Sequence, residues 1–351
     1  MAPTTPETDA PPSATGARAL DANAPDASDA SPDALARDPD ALSTLGTEPT
    51  PPKPPLWRRV LPFLLGAALL GWVLRRTSFS ELAGALEHTN HAAFFGFALV
   101  ALLTNLALDC IATSYIYRRT VCPVSFREFF VIRGASYLPS MLNHNLGQAW
   151  LTYYLAKRYR APLWRVAGAT LLVYGTNLAG LVLLGVVALV MSDEPPAWLA
   201  PILGVSLTLG VLYAALLRFG QGLLERFQAT RPLVEIGVSG HLLAILVRLP
   251  HVAALYLGTW LSFSFFGVWV PPADALAYIP LLMLVAALPL TPGGVGTRDA
   301  TALSLLAPFA PLTFGTSAIT AATLSWLLAT HLIAALISPP LMRRASRLLG
   351  R

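Results

Sequence analysis

From Val166 to Met191 the chain carries no charged residue. Crossing the hydrocarbon core of a bilayer takes roughly 20 apolar helical residues at about 1.5 Å rise each. A run of this length therefore predicts a membrane span, counted as 163–191. Further apolar runs lie at 92–117, 197–219, 241–270 and 314–336. A shorter one, 60–74, is flanked by Trp57, Arg58, Arg59, Arg75 and Arg76. An interfacial aromatic and snorkelling arginines extend its reach. Composition agrees: 12% of the 351 residues are charged and 55% are hydrophobic, against about 25% charged in an average soluble protein. The expected fold is an all-α polytopic membrane protein with about six full crossings.

The formal net charge of +5 does not point to nucleic acid. The arginines cluster at the ends of apolar runs, where they report topology. Cys110 and Cys122 are too few for a disulfide framework and match no metal spacing, so they read as small buried hydrophobes. Residues 1–55 are rich in Ala, Pro, Asp, Ser and Thr, with nine acids against three bases and no apolar period. Such a segment buries too little surface to offset chain entropy and reads as a disordered cytoplasmic tail. The organisation expected is this tail, a transmembrane domain over 56–342 and a basic cytoplasmic C-terminus over 343–351.

Two stretches break the pattern. At 288–299 the sequence reads Leu-Pro-Leu-Thr-Pro-Gly-Gly-Val-Gly-Thr-Arg-Asp. Its prolines lack amide donors and its glycines lose the most backbone entropy, so a helix stops there. The apolar runs beside it, 275–288 and 300–307, are each too short to cross. Two half-helices meeting at a glycine loop fit, and broken helices of this kind mark substrate sites in transporters. A short extramembrane Pro-Gly loop is the plainer alternative.

At 124–156 the apolar pattern is interrupted by Gly134, Pro139, Asn143-His144-Asn145, Gly147 and Gln148, with bases on both sides. If bases stay in the cytoplasm, the chain enters and returns on one side as a re-entrant hairpin. The alternative is a surface-lying amphipathic helix. Six crossings place both termini in the cytoplasm, with one hairpin inserted from each face; Arg75 and Arg76 then lie outside. Leu138-Pro139 followed by Gly147 parallels Leu288-Pro289 followed by Gly296, each glycine opening a new helix, as in an inverted-topology repeat.

The 288–299 block resembles the signature of the flippase-like integral membrane family, which is related to the transmembrane domain of lysylphosphatidylglycerol synthases. The 136–158 segment is similar to that family's earlier block. The resemblance implies a bacterial inner-membrane protein that handles lipid. It also implies an acid and an arginine in the first block, where this chain has Gln148 and Leu151, and a glutamate where it has Asp299. The chain ends soon after its last span, so the resemblance implies the lipid-translocating half rather than the aminoacyl-transferring half.

The candidate site combines Pro292, Gly293, Gly294, Gly296, Arg298 and Asp299 with Asn143, His144, Asn145, Gly147 and Gln148. Helix starts at Gly294–Thr297 and Gly147–Gln148 offer amides to an anion such as a lipid phosphate. Arg298 suits bidentate pairing with that phosphate, and Asp299 suits a cation or a proton; a mutual pair that simply holds the loop is the alternative. Asp109, Arg248 and His251 are intramembrane ionisable residues and rank second. No nucleophile–base pair, metal spacing or phosphate-binding loop with its Lys-Ser/Thr is found, so neither an enzyme nor a cofactor is expected. The leading expectation is a binder and translocator of an anionic phospholipid or lipid-linked substrate, with a homo-oligomer left open. A secondary transporter of a small anionic or zwitterionic solute and a non-transporting scaffold stand as alternatives.

Overall fold

The computed structural model describes residues 56–350 other than 289, 292 and 293; of the side chains of 56–59 and of His144 nothing is said. The expected tail over 1–55 lies outside the described residues. The described residues form helices joined by turns and short irregular links, with no strand among them. In chain order the helices are α1 (Leu56–Arg75), α2 (Phe79–Glu87), α3 (His91–Thr120), α4 (Phe126–Leu142), α5 (His144–Tyr159) and α6 (Leu163–Met191). There follow α7 (Leu199–Phe219), α8 (Gln221–Leu224), α9 (Arg231–Ser264), α10 (Pro272–Ala287), α11 (Thr297–Leu306), a 3₁₀ turn at Ala307–Phe309 and α12 (Ser317–Leu349).

Five helices, α3, α6, α7, α9 and α12, are long and apolar enough to cross a membrane. The sixth crossing, expected over 60–74, falls in α1, which is long and apolar enough only when taken together with α2, to which it is bent by 85°. The bend falls where Arg75, Arg76 and Thr77 end one apolar run and Ser78 starts the next helix, its hydroxyl accepting from the amide of Glu81. Polar side chains start other helices in the same way. Asn90 caps α3 by accepting from Ala93 N at 3.0 Å, and Ser125 caps α4 by accepting from Glu128 N at 3.2 Å.

Three expected boundaries shift. The crossing drawn over 241–270 is helical only to Ser264; the chain then turns, and Trp260 Nε1 donates to the carbonyl of Val270 at 3.0 Å. The last crossing, drawn to 336, continues through Pro339 and Pro340 to Leu349. Residues 343–349 are therefore helical as well. In α4, Gly134 and Pro139 both lie inside the helix, and the only break is at Asn143. Each proline removes one amide donor, and packing makes up the loss. Leu341 packs against the backbone at Gly134, so closely that an added Cβ would meet its side chain at 2.3 Å, and Ser338 Oγ donates to the Gly134 carbonyl at 2.8 Å.

The core lies in two main clusters strung along shared long helices. One gathers Phe94 and Ala98 of α3, Val252 and Phe263 of α9 and Ile319 of α12 around α10 and α11. The other gathers Tyr117 of α3, Ala244 of α9 and Ala345 of α12 around α4 and α5. The two broken stretches thus pack at opposite ends of α3, α9 and α12. Hydropathy supplies the driving force for burial in lipid, while α12 against α4 and α3 against α9 supply the most extensive helix pairings.

Candidate functional site

On α3, Asn105, Asp109 and Thr113 recur every fourth residue and so share one face. On α9, Arg248 and His251 sit three apart on another. On α4, Arg133, Ser136 and Ser140 do likewise. The three faces meet at Asp109. Its Oδ2 accepts from Nε of Arg133 at 2.6 Å, and its Oδ1 accepts from Nη1 of Arg248, also at 2.6 Å. Thr113 Oγ1 donates to Oδ1 at 2.8 Å and accepts from Nη2 of Arg248 at 2.7 Å. The Arg248 side chain is 1% exposed and that of Asp109 is 6% exposed, so these two are shielded from solvent.

One carboxylate serves two guanidiniums here. Both remain protonated, because arginine does not lose its proton in proteins. No second acid pairs with either arginine among the described residues, so the cluster carries one surplus positive charge. Its hydrogen bonding is also incomplete: Nε of Arg248 and Oδ1 of Asn105 are buried without partners. His251 Nδ1 lies 3.4 Å from the Asn105 carbonyl oxygen. Isolated charge in a span is costly, so such groups face protein or a polar path.

The cluster opens toward the α4–α5 hairpin. Nη1 of Arg133 donates to Ser136 Oγ at 3.3 Å and approaches Oε1 of Gln148 on α5 at 3.5 Å. Its guanidinium also lies 5.7 Å from the centre of the Tyr137 ring. Close packing closes the hairpin at Gly147, where an added Cβ would meet the Ser136 carbonyl oxygen at 2.8 Å. At the open end of the hairpin, Nε of Arg158 donates to Glu128 at 3.2 Å.

The helix start expected at Gly147–Gln148 is one turn earlier. Asn143 is the cap, its Oδ1 accepting from Asn145 N at 2.8 Å, and Gly147 N already donates to the Asn143 carbonyl at 3.3 Å. Those amides are spent on the helix and present no anion site. Asn145 is exposed, and the side chain of His144 lies outside the described residues.

In the second loop too, the described polar groups bond mainly within the loop and to α12. Gly296 caps α11 with φ 83°, and its amide donates to Oδ2 of Asp299 at 3.0 Å. Glycine has no side chain, so only the acid's half of a capping box exists here. Nη2 of Arg298 donates to Oδ1 of Asp299 at 3.0 Å and to the carbonyl of Thr323 on α12 at 3.1 Å; its Nε is buried without a partner. Asp299 is thus committed to its own helix and its neighbour, which matches the loop-holding alternative. Gly294 is buried with φ 72°; Pro292 and Gly293 lie outside the described residues.

Among the described residues, no hydrogen bond or ion pair joins the 143–148 loop to the 294–299 loop. Instead Asp109 and Arg248, ranked second, form one network with Arg133 and Thr113, with Gln148 at its edge, while His251 bonds to the Asn105 carbonyl of α3. The residue missed is Arg133. It reads in sequence as one more topology-setting base, although an intramembrane acid and arginine on neighbouring spans already call for partners.

A family model described as the lysylphosphatidylglycerol synthase TM region matches residues 59–338. Comparison with curated proteins gives no match, and comparison with solved structures gives none.

Proposed function

We propose, because this chain belongs to the lysylphosphatidylglycerol synthase TM-region family, that its buried arginine cluster binds the headgroup phosphate of an anionic phospholipid or lipid-linked substrate and that the protein translocates it. The family associates this multi-pass membrane protein with lipid handling, and the finer reading is ours. One observation carries it: Arg133 and Arg248 share the single carboxylate of Asp109, which leaves one positive charge within the helix packing. A phosphate dianion or diester is the natural counter-charge for a guanidinium fork. Arg133 is the more accessible of the two, its side chain 12% exposed beside the α4–α5 hairpin, and would meet the headgroup first.

In this reading Asp109 holds both arginines in the empty state and yields Arg133 to the phosphate on binding. The step is an exchange of counter-ions, with no bond made or broken, so we propose transport or binding rather than catalysis. Placement in a bacterial inner membrane with both termini cytoplasmic belongs to the same proposal and follows the charge bias at span ends. The test reconstitutes the full chain in vesicles of phosphatidylcholine with fluorescent phosphatidylglycerol. Lipid movement between leaflets is followed for the parent protein and for Arg133→Gln. The proposal requires phosphatidylglycerol movement that the variant loses; equal movement by a folded variant removes the cluster from the site.

A further inference from the structure

A separate groove of about 560 Å³ lies at the C-terminal end of α3, between α3, the start of α4 and α9. Along α3 it runs from Ile111 to Arg119, about 12 Å at helical rise. Its outer end is basic. Arg118 and Arg119 both line it, both are exposed, and neither has an acid partner among the described residues. The guanidinium of Arg119 lies 5.4 Å from the centre of the Tyr115 ring. Tyr115 also lines the groove, and its hydroxyl is shielded from solvent and has no hydrogen-bond partner. A buried unpaired hydroxyl costs about 1–3 kcal/mol of desolvation in general terms, so an occupant that accepts its proton is favoured. Phe126 opens α4 at this end and brings the positive pole of that helix to the groove.

The inner end is apolar. Ile111 is an exposed hydrophobic side chain there with Val247 beside it, and exposed Phe126 carries the apolar surface on from the outer end. α3 is a membrane span and Arg118 and Arg119 lie in its last turn, so the groove passes from the interface into the apolar zone. A free anion would leave its greasy wall bare, and an apolar chain alone would leave two arginines and a hydroxyl unmatched. We infer that the groove holds one anionic phospholipid from the adjacent leaflet. Its phosphate sits between Arg118 and Arg119 and accepts from the Tyr115 hydroxyl. Its acyl chain lies against Ile111, Phe126 and Val247. This site is distinct from the Asp109 cluster and stands whether or not lipid is translocated.

The test places a photo-reactive phenylalanine analogue at position 126 of the full chain. The protein is held in vesicles of phosphatidylcholine and phosphatidylglycerol in equal amounts. Losing a charge-assisted contact of this kind corresponds to roughly tenfold in occupancy. The expected result is crosslinking to phosphatidylglycerol about tenfold over phosphatidylcholine, abolished by Arg118→Gln with Arg119→Gln. Tyr115→Phe should weaken it with no loss of folding, since that hydroxyl has no protein partner. Arg133→Gln should leave it intact, which separates this site from the translocation reading. Equal crosslinking of the two lipids, preference unchanged in the folded double variant, or displacement by millimolar inorganic phosphate would each overturn the inference.

Discussion

Asp109 on α3 receives Nε of Arg133 on α4 at 2.6 Å while its other oxygen receives Arg248 on α9 at the same distance. A single carboxylate therefore ties three helices together. Removing it leaves two guanidiniums buried and facing each other. Breaking a buried ion pair from one side costs about 3–5 kcal/mol. Asp109→Ala should lower the unfolding midpoint in detergent markedly. Arg133→Gln should cost less, because Arg248 still neutralises Asp109. The double variant Asp109→Asn, Arg133→Gln should lose less than the sum of the single losses. Strict additivity would show that the pair is not coupled.

Gly296 is fixed twice over. Its φ of 83° suits glycine, and a Cβ there would meet the carbonyl oxygen of Gly66 on α1 at 2.6 Å. Gly296→Ala then pays for left-handed backbone and for separating α1 from α11, about 1–3 kcal/mol from the backbone alone. A thermal melt checks this, and a midpoint unchanged from the parent would contradict the close approach.

Arg298 holds α11 to α12 through Asp299 and the Thr323 carbonyl. Arg298→Ala should destabilise the protein by about 1–3 kcal/mol, the range for hydrogen bonds to charged groups. It should leave the preference for phosphatidylglycerol over phosphatidylcholine where it was. A folded variant that loses the preference would return the headgroup site to this loop.

How much of this was legible in the sequence divides along physical lines. The spans α6 and α7 follow hydropathy closely: 163–191 is reproduced, and 197–219 begins two residues later at Leu199. A helix facing lipid declares itself residue by residue. The hairpin at 124–156 was legible as a broken element but not in its joint. Pro139 looks like a breaker, yet the helix needs only one more turn, and Asn143 provides the cap that ends one helix and begins the next. The ion cluster was half legible. Asp109, Arg248 and His251 stand out as charges in spans, while Arg133 sits among interfacial bases and gains its partner only when α4 folds along α3. Arg298 and Asp299 carry the family's block, and their mutual pair was legible as the alternative to a headgroup site; the Thr323 carbonyl on α12, which Arg298 also reaches, was not.

Cys122 offers a check on packing outside the spans. It is 5% exposed, and burial pushes its thiol up to about 12. A raised thiol value means the neutral, unreactive form persists as pH rises. At pH 8 the thiolate fraction is on the order of 10⁻⁴. In a Cys110→Ala background, maleimide should label the folded protein very slowly at pH 8, with the rate still climbing through pH 9 and rapid labelling after denaturation. Fast native labelling at neutral pH would contradict this burial.

The central claim is that the surplus charge at Arg133, Arg248 and Asp109 selects an anionic headgroup. The most direct measurement is equilibrium binding of phosphatidylglycerol against phosphatidylcholine to the purified full chain in an Arg118→Gln, Arg119→Gln background that removes the groove site, comparing that parent with Arg133→Gln and with Arg133→Lys added to it. The account predicts a clear preference for phosphatidylglycerol in the parent, its loss in Arg133→Gln by roughly tenfold or more, and partial retention in Arg133→Lys, which keeps the charge but not the fork. An undiminished preference in a stably folded Arg133→Gln protein would contradict it.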